Sequence, residues 1–311
     1  MNSFIYSDTP DWANKWPETY EKIVLMLKEQ ILAKGDYVYS IDNNKGILVL
    51  GSTKWGDFQV KISLESLYKQ CLNVYIDKWG KEIEKYLKTL DIGATIEIDL
   101  DRNRDNYDKF RPYLRTRLVN INARISEKLE YRKWFGEMSE LVQLQLPINS
   151  YWLDKETIKK WAISIDTIFT DARNNNARTL LDRPLYRDTD IVAGYRKYCY
   201  YKKEDDERRF STLSTDFEYL DSIQGKYGVI IEIPNEYEIS IYALNELKHP
   251  QEFIEDEAWF TLNQYNEAQL PLCSKLIWYY DKEYTLINYE IRNGEFIVNI
   301  PYKMKNLLQF Y

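Results

Sequence analysis

The first residues that could carry chemistry are five oxygen-bearing side chains in one short segment: Asp99, Asp101, Asn103, Asp105 and Asp108. Oxygen ligands at alternate positions are what Ca²⁺ or Mg²⁺ requires. The segment departs from an EF-hand loop, because Arg104 stands where glycine is needed and Phe110 where the bidentate glutamate belongs. Arg102 and Arg104 would also repel a cation. We therefore expect a solvated loop with local Asx turns, and no metal.

Two basic segments interleaved with aromatic residues are the next candidates. Ten bases face four acids between Arg102 and Lys133, and eight face three between Arg173 and Lys203. Guanidinium groups pair with phosphates or carboxylates and aromatic faces stack on bases, so a nucleic acid or an acidic protein surface would fit. Because the formal net charge is −7, nucleic-acid binding would depend on a local patch. The candidate contact residues of the second segment are Arg173, Arg178, Arg183, Arg187, Tyr195 and Arg196.

A third segment of the sequence is strongly acidic. Eight acids and one base lie between Glu232 and Glu257, a formal charge of −7 that equals the charge of the whole protein. Two interpretations stay open: a solvated rim around a strand over 237–243, or an acidic face that docks on a basic partner or on the arginine-rich segment of a second copy. The candidate contact residues here are Glu252, Glu255, Asp256 and Glu257.

The composition argues against most catalytic chemistry. His249 is the only histidine, and the three cysteines are widely spaced, so neither a nucleophilic triad nor a zinc site is indicated. No G-x-S-x-G or Walker motif occurs, and 11 glycines leave little room for a phosphate-binding loop. We predict no catalytic residue and no cofactor.

The elements that would position these residues begin with an α+β unit. Hydrophobic periodicity predicts a helix over 17–34, strands over 37–41 and 47–50, a third strand through Phe58, Val60 and Ile62, helices over 64–72 and 77–90, and a strand over 94–100. The order is α-β-β-β-α-β, with a mainly antiparallel sheet.

This element order resembles the core of the PD-(D/E)xK nucleases, whose third strand carries an acid and a lysine two residues apart. Gln59-Val60-Lys61 occupies that place here, with glutamine instead of the acid. The resemblance implies a metal-dependent nuclease with a degenerate site, in which Asp99, Asp101 and Lys61 would act.

The remaining chain reads as further helices and a β-rich region. We predict a helix over 123–138, a helix capped by Asp154 that runs to Phe169, and a loop or linker over 171–183. Strands are expected over 227–233, 237–243, 275–280, 284–291 and 295–300, with a hairpin at Asn293-Gly294. The predicted class is α+β, with an α+β domain over 1–150 and a domain of one helix and many strands over 151–311.

Compartment and source follow from composition. The apolar runs are far shorter than the roughly 20 residues of a membrane span, and the N-terminus lacks the pattern of a secretory signal, so we expect a cytoplasmic protein. Abundant Tyr, Asn, Lys and Ile suit an AT-rich genome, that of a low-GC bacterium or a mobile element such as a phage.

By elimination, the leading hypothesis is a non-catalytic protein that binds another protein through charged and aromatic surfaces. It would act as an oligomeric inhibitor encoded by a phage or another mobile element, without contacting a membrane. The nuclease-like enzyme and a nucleic-acid-binding module stay open as alternatives.

Overall fold

The computed structural model describes residues 9–120, 126–181, 186–188, 194–200 and 210–309. Within these ranges the helices are α1 (Pro17–Lys34), α2 (Glu65–Leu72), α3 (Trp79–Arg102), α4 (Tyr107–Phe110), α5 (Lys155–Trp161), α6 (Ile165–Leu181), α7 (Phe217–Ile223), α8 (Pro250–Glu267) and α9 (Tyr302–Leu308). The strands are β1 (Tyr37–Asp42), β2 (Ile47–Ser52), β3 (Gln59–Ser63), β4 (Leu114–Asn120), β5 (Tyr131–Lys133), β6 (Met138–Gln145), β7 (Ser150–Trp152), β8 (Tyr186–Asp188), β9 (Tyr195–Tyr200), β10 (Val229–Asn235), β11 (Glu238–Leu244), β12 (Leu276–Tyr280), β13 (Glu283–Arg292) and β14 (Glu295–Asn299).

Contacts within the chain divide it into two compact units. The first comprises Met1–Lys109 with Gln145–Ser150, and the second comprises Phe110–Leu144 with Tyr151–Tyr311. Helices and antiparallel sheets occur in both, so the predicted α+β class is confirmed. The division into domains over 1–150 and 151–311 stays a prediction.

The first unit packs helices on a three-stranded antiparallel sheet of order β1-β2-β3. Helix α1 begins at Pro17, whose missing N–H costs nothing in the first turn, and is terminated after Lys34 by Gly35, which has a φ of 71°. It buries an apolar stripe at helical spacing against the sheet and α3. The stripe consists of Tyr20, Ile23, Val24, Leu27 and Ile31.

One predicted strand of this unit is wrong, because α3 continues for 24 residues through positions 94–100. The alternation of that segment coexists with a helical period, and Ala94, Glu97 and Leu100 extend the buried face of the helix. Gly93 lets the helix approach Ile148 closely, since a Cβ there would lie 2.2 Å from Ile148 Cγ1. In the described residues of this unit, helix α3 therefore stands where the order that resembled the nuclease core has its last strand.

The second unit is built on a seven-stranded antiparallel sheet of order β14-β13-β12-β10-β11-β9-β8. Alternating residues of β10 bury opposite faces. Val229 and Ile231 join one core, while Ile230 joins another that lies beneath α8. The five predicted C-terminal strands are confirmed, as is the hairpin, whose Asn293 and Gly294 have φ values of 55° and 84°.

A smaller sheet of order β4-β6-β5, with β7 paired to β6, completes this unit, and α6 packs on β4. The predicted loop over 171–183 is wrong for its described part, since α6 extends to Leu181. Asn176 Nδ2 donates to the Thr116 carbonyl at 3.0 Å, which satisfies part of the open edge of β4. These contacts stabilise a helix that its asparagines disfavour.

Two further predictions need correction. The helix expected over 123–138 is not formed in its described part, where β5 and the start of β6 lie instead, while 121–125 fall outside the described residues. Asp154 does cap a helix, accepting from the Thr157 N–H at 2.7 Å. That helix ends early, because Ala162 has a φ of 53° and separates α5 from α6.

Candidate functional site

Helix α8 presents an acidic face to solvent. Pro250 occupies its first turn after His249, and Ile254, Ala258 and Thr261 are buried against the sheet. Glu252 and Asp256 lie one turn apart on the opposite side and are exposed. Glu255 is half-buried and accepts from Gln251 Nε2 at 2.9 Å.

Two large aromatic residues continue this solvent face. Trp259 is 50% exposed and Phe260 is 47% exposed. The Trp259 ring lies edge-on to Phe296 of β14, with centroids 5.3 Å apart, and Ile291 stands opposite Phe296 in the β13–β14 ladder while 63% exposed. We call this set the α8 patch: Glu252, Asp256, Trp259, Phe260, Ile291 and Phe296.

A cluster that contains one fully buried acid and one partly buried acid lies where the same helix meets the sheet. Glu232 of β10 is fully buried. Tyr242 Oη of β11 lies 3.1 Å from Glu232 Oε2 and 2.6 Å from Glu257 Oε2 of α8. Thr261 Oγ1 lies 3.1 Å from Glu232 Oε1. We call these four residues the acid cluster: Glu232, Tyr242, Glu257 and Thr261.

The electrostatics of the acid cluster favour a neutral Glu232. Burial away from water, and then the neighbouring Glu257 carboxylate, raise the pKa of Glu232 well above its ordinary value. Lys197 of β9 opposes this shift. Its Nζ lies over the Tyr242 ring, 4.7 Å from the centroid, and 5.9 Å from the centroid of Phe260.

The acidic segment is therefore not simply a solvated rim. Glu232 is fully buried, and Glu236 is buried and paired with Arg117. The sequence did carry a signal for Glu232, since it stands within the apolar run of Val229–Ile233. Trp259 and Phe260 were missed because no helix was expected to place them beside Glu252 and Asp256.

The predicted contact residues of the basic segment lie in different environments. Arg173 donates from Nε to Glu140 Oε1 at 2.8 Å and also contacts Oε2. Its guanidinium group is therefore paired with a fully buried carboxylate of the same chain. Arg178 and Arg196 are exposed. Tyr195 packs in the core beneath α8, with its ring centroid 4.6 Å from that of Phe253. Arg183 and the Arg187 side chain lie outside the described residues.

Among the predicted contact residues, the structure brings Tyr195 and Glu257 together. Both contact Tyr242, the first through ring centroids 5.6 Å apart and the second by the hydrogen bond given above. Arg173 instead lines a cleft of about 340 Å³ between α6 and the start of α7. Phe217, Asp216 and Glu218 form the opposite wall of that cleft.

The residues of the nuclease resemblance do not form a site. Lys109 Nζ lies 2.9 Å from Asp99 Oδ2, and Arg104 pairs with Asp101. Lys61 is exposed on β3. Among the described residues, no group of three or more His, Cys, Asp or Glu side chains is arranged to hold a metal ion.

No family model, no curated protein and no solved structure matches this chain. In the part of the chain that the structure describes, no helix combines the length and apolarity that crossing a membrane requires.

Proposed function

We propose that this protein acts by binding another protein through the α8 patch. The observation that carries the proposal is the half-exposed pair Trp259 and Phe260 on a helix face that also presents Glu252 and Asp256. Aromatic side chains that stay half-exposed leave apolar area in water, and such area is typical of protein interfaces.

The main aromatic residue of the patch, Trp259, packs against other aromatic rings, as an anchor residue of an interface does. Trp259 rests against Phe296, whose ring centroid in turn lies 4.9 Å from that of Tyr289. The indole is therefore held in place before a partner arrives, and less side-chain entropy is lost on binding. A rigid, partly exposed tryptophan within a polar rim is the usual centre of a binding hot spot.

The chemistry of the rim points to a basic partner. Glu252, Asp256 and the partly buried Glu255 lie in the turns of α8 that precede Trp259 and Phe260. A partner that presents lysine or arginine beside an apolar anchor is therefore favoured. The negative charge of these acids would repel the phosphates of a nucleic acid. An inhibitor encoded by a mobile element would act in this manner, by covering a basic surface of its target.

Site-specific photo-cross-linking tests this proposal. Benzoylphenylalanine replaces Phe260 in the full chain, which is exposed to an extract of the native host; a control carries the same group at Tyr75, which is 81% exposed in the first unit. We expect a protein with a basic contact surface to be cross-linked at position 260 and not at position 75. Equal cross-linking at both positions, or none at 260, would overturn the proposal.

A truncation supplies the second arm of the experiment. Trp259→Ala should lower the affinity for the cross-linked protein at least about 30-fold, as loss of a central tryptophan typically does. The matched control is Trp152→Ala, which removes a 37% exposed tryptophan of β7 and should leave the affinity unchanged. Cross-linking of a second copy of the chain would show self-association and contradict the proposal of a basic partner.

A further inference from the structure

The contacts of the acid cluster need more hydrogens than its two hydroxyl groups provide. Tyr242 Oη contacts Glu232 and Glu257, and Thr261 Oγ1 contacts Glu232 Oε1 at 3.1 Å and the Glu257 carbonyl oxygen at 2.8 Å. Each hydroxyl has one hydrogen to donate. The shorter contact of each hydroxyl is the one to Glu257, so both hydrogens are directed there.

Of the two carboxyl groups, Glu232 is fully buried and Glu257 only partly, so Glu232 is the one that supplies the missing hydrogen. As a carboxylate it would keep two oxygen–oxygen contacts without a hydrogen between them, in a place closed to water. As a carboxylic acid it donates a hydrogen bond to one of the two hydroxyl oxygens or to the Glu257 carboxylate. An unpaired buried charge is among the most costly features in a folded protein, so the acid form is favoured.

The acid cluster joins α8 to the centre of the sheet. Glu232 lies on β10, Tyr242 on β11 and Lys197 on β9, whereas Glu257 and Thr261 lie on the helix. Next to these polar contacts, Ile254 and Ala258 form the apolar part of the same helix face. Any repulsion between Glu232 and Glu257 therefore acts directly between α8 and the sheet.

We propose that one proton on Glu232 holds α8 on the sheet, and that loss of this proton as the pH rises loosens the helix. The groups that face Glu232 are Glu257 and Thr261 from α8, Tyr242 and Ser240 from β11, and Lys197 from β9. Ionisation would place two carboxylates side by side, with Lys197 as the cation that opposes their repulsion. Because α8 carries Glu257, movement of this helix away from the sheet reduces the repulsion between the two carboxylates.

The direction of the pH effect follows from linkage. Because Glu232 holds its proton more tightly in the folded protein than in the unfolded chain, the stability that it contributes is complete below the ordinary carboxyl pKa. That stability is lost as the pH rises through the raised pKa of the folded state. Within this window the equilibrium for opening α8 should increase by up to about tenfold per pH unit.

Amide hydrogen exchange of the intact protein, corrected for the intrinsic pH dependence, measures this opening. We expect protection of the α8 amides to fall as the pH rises from about 5 to about 9. Glu232→Gln keeps a donor and an acceptor but cannot ionise, so its α8 protection should be independent of pH and exceed that of the wild type at high pH. Glu267→Gln, which alters an exposed carboxylate of the same helix, should behave as the wild type does.

The same pH dependence in the wild type and in Glu232→Gln would overturn the proposal. A second measurement needs no variant: the carboxyl carbon resonance of Glu232, followed by NMR as the pH rises, should show a pKa above the ordinary carboxyl range, and a pKa within that range would overturn the proposal equally. Neither readout involves a partner. Only the consequence that partner binding weakens at high pH rests on the proposed function, and failed cross-linking at Phe260 would remove that consequence alone.

Discussion

Glu140 and Glu232 of the second unit are both fully buried, and their surroundings give them opposite states. Glu140 accepts from the Arg173 guanidinium through both oxygens, so its negative charge is compensated. Glu232 faces a second carboxyl group and two hydroxyl groups. One residue type therefore serves as half of an ion pair in one place and as a neutral hydrogen-bond donor in another.

Substitution by glutamine should separate these two states. Glu140→Gln leaves Arg173 without its counter-charge and should lower the free energy of unfolding at neutral pH by about 1.5–3 kcal/mol, the range for hydrogen bonds to charged groups. Glu232→Gln should not lower it, because the amide replaces a group that is already neutral. Urea denaturation of both variants measures the difference, and equal destabilisation by the two substitutions would contradict it.

At the scale of elements, the sequence predicted correctly those helix ends and turns that are determined by one or two neighbouring residues. Pro17 and Gly35 bound α1, and Asn293-Gly294 forms the last hairpin, as predicted. The errors concern segments whose structure depends on distant contacts. Positions 94–100 alternate like a strand, yet they continue the buried face of α3. The asparagines of α6 are typical of a loop in the sequence, and the helix becomes understandable only from the hydrogen bond that Asn176 donates to β4.

The asparagines of α6 allow a test in which two neighbouring substitutions change stability in opposite directions. Asn176 donates to the Thr116 carbonyl at 3.0 Å and to Thr116 Oγ1 at 2.8 Å, so Asn176→Ala should destabilise by about 1 kcal/mol. Asn174 is exposed, so Asn174→Ala should stabilise by about 0.5 kcal/mol through helix propensity. Thermal unfolding measures both changes. Stabilisation by both would mean that the edge of β4 does not need Asn176.

At the scale of the whole molecule, charge along the chain indicated where a binding surface could lie but not which acids would reach solvent. The acidic segment spans β10, β11 and the first turns of α8. Burial removes Glu232 and Glu236 from the surface, while α8 leaves Glu252 and Asp256 beside Trp259. The side of each element that faces the core is set by long-range packing, which a run of like charges does not encode.

The position of the charge, and not its total, should decide binding to a basic partner. The double variant Glu252→Lys with Asp256→Lys reverses two exposed acids in the α8 patch, whereas Glu21→Lys with Glu84→Lys reverses two exposed acids of α1 and α3 in the first unit. Both change the net charge equally. The first should weaken binding of the protein cross-linked at position 260 at least about tenfold at low salt, and the second should change it little.

Ionic strength supplies the internal control for that comparison. The wild-type affinity should fall as salt rises, because charges at the rim of an interface are screened, and the patch variant should depend on salt much less. Equal weakening by the two double variants would mean that the total charge of −7 attracts the partner from any direction. In that case the acids of α8 would have no special role, and the contribution of the patch would be confined to Trp259 and Phe260.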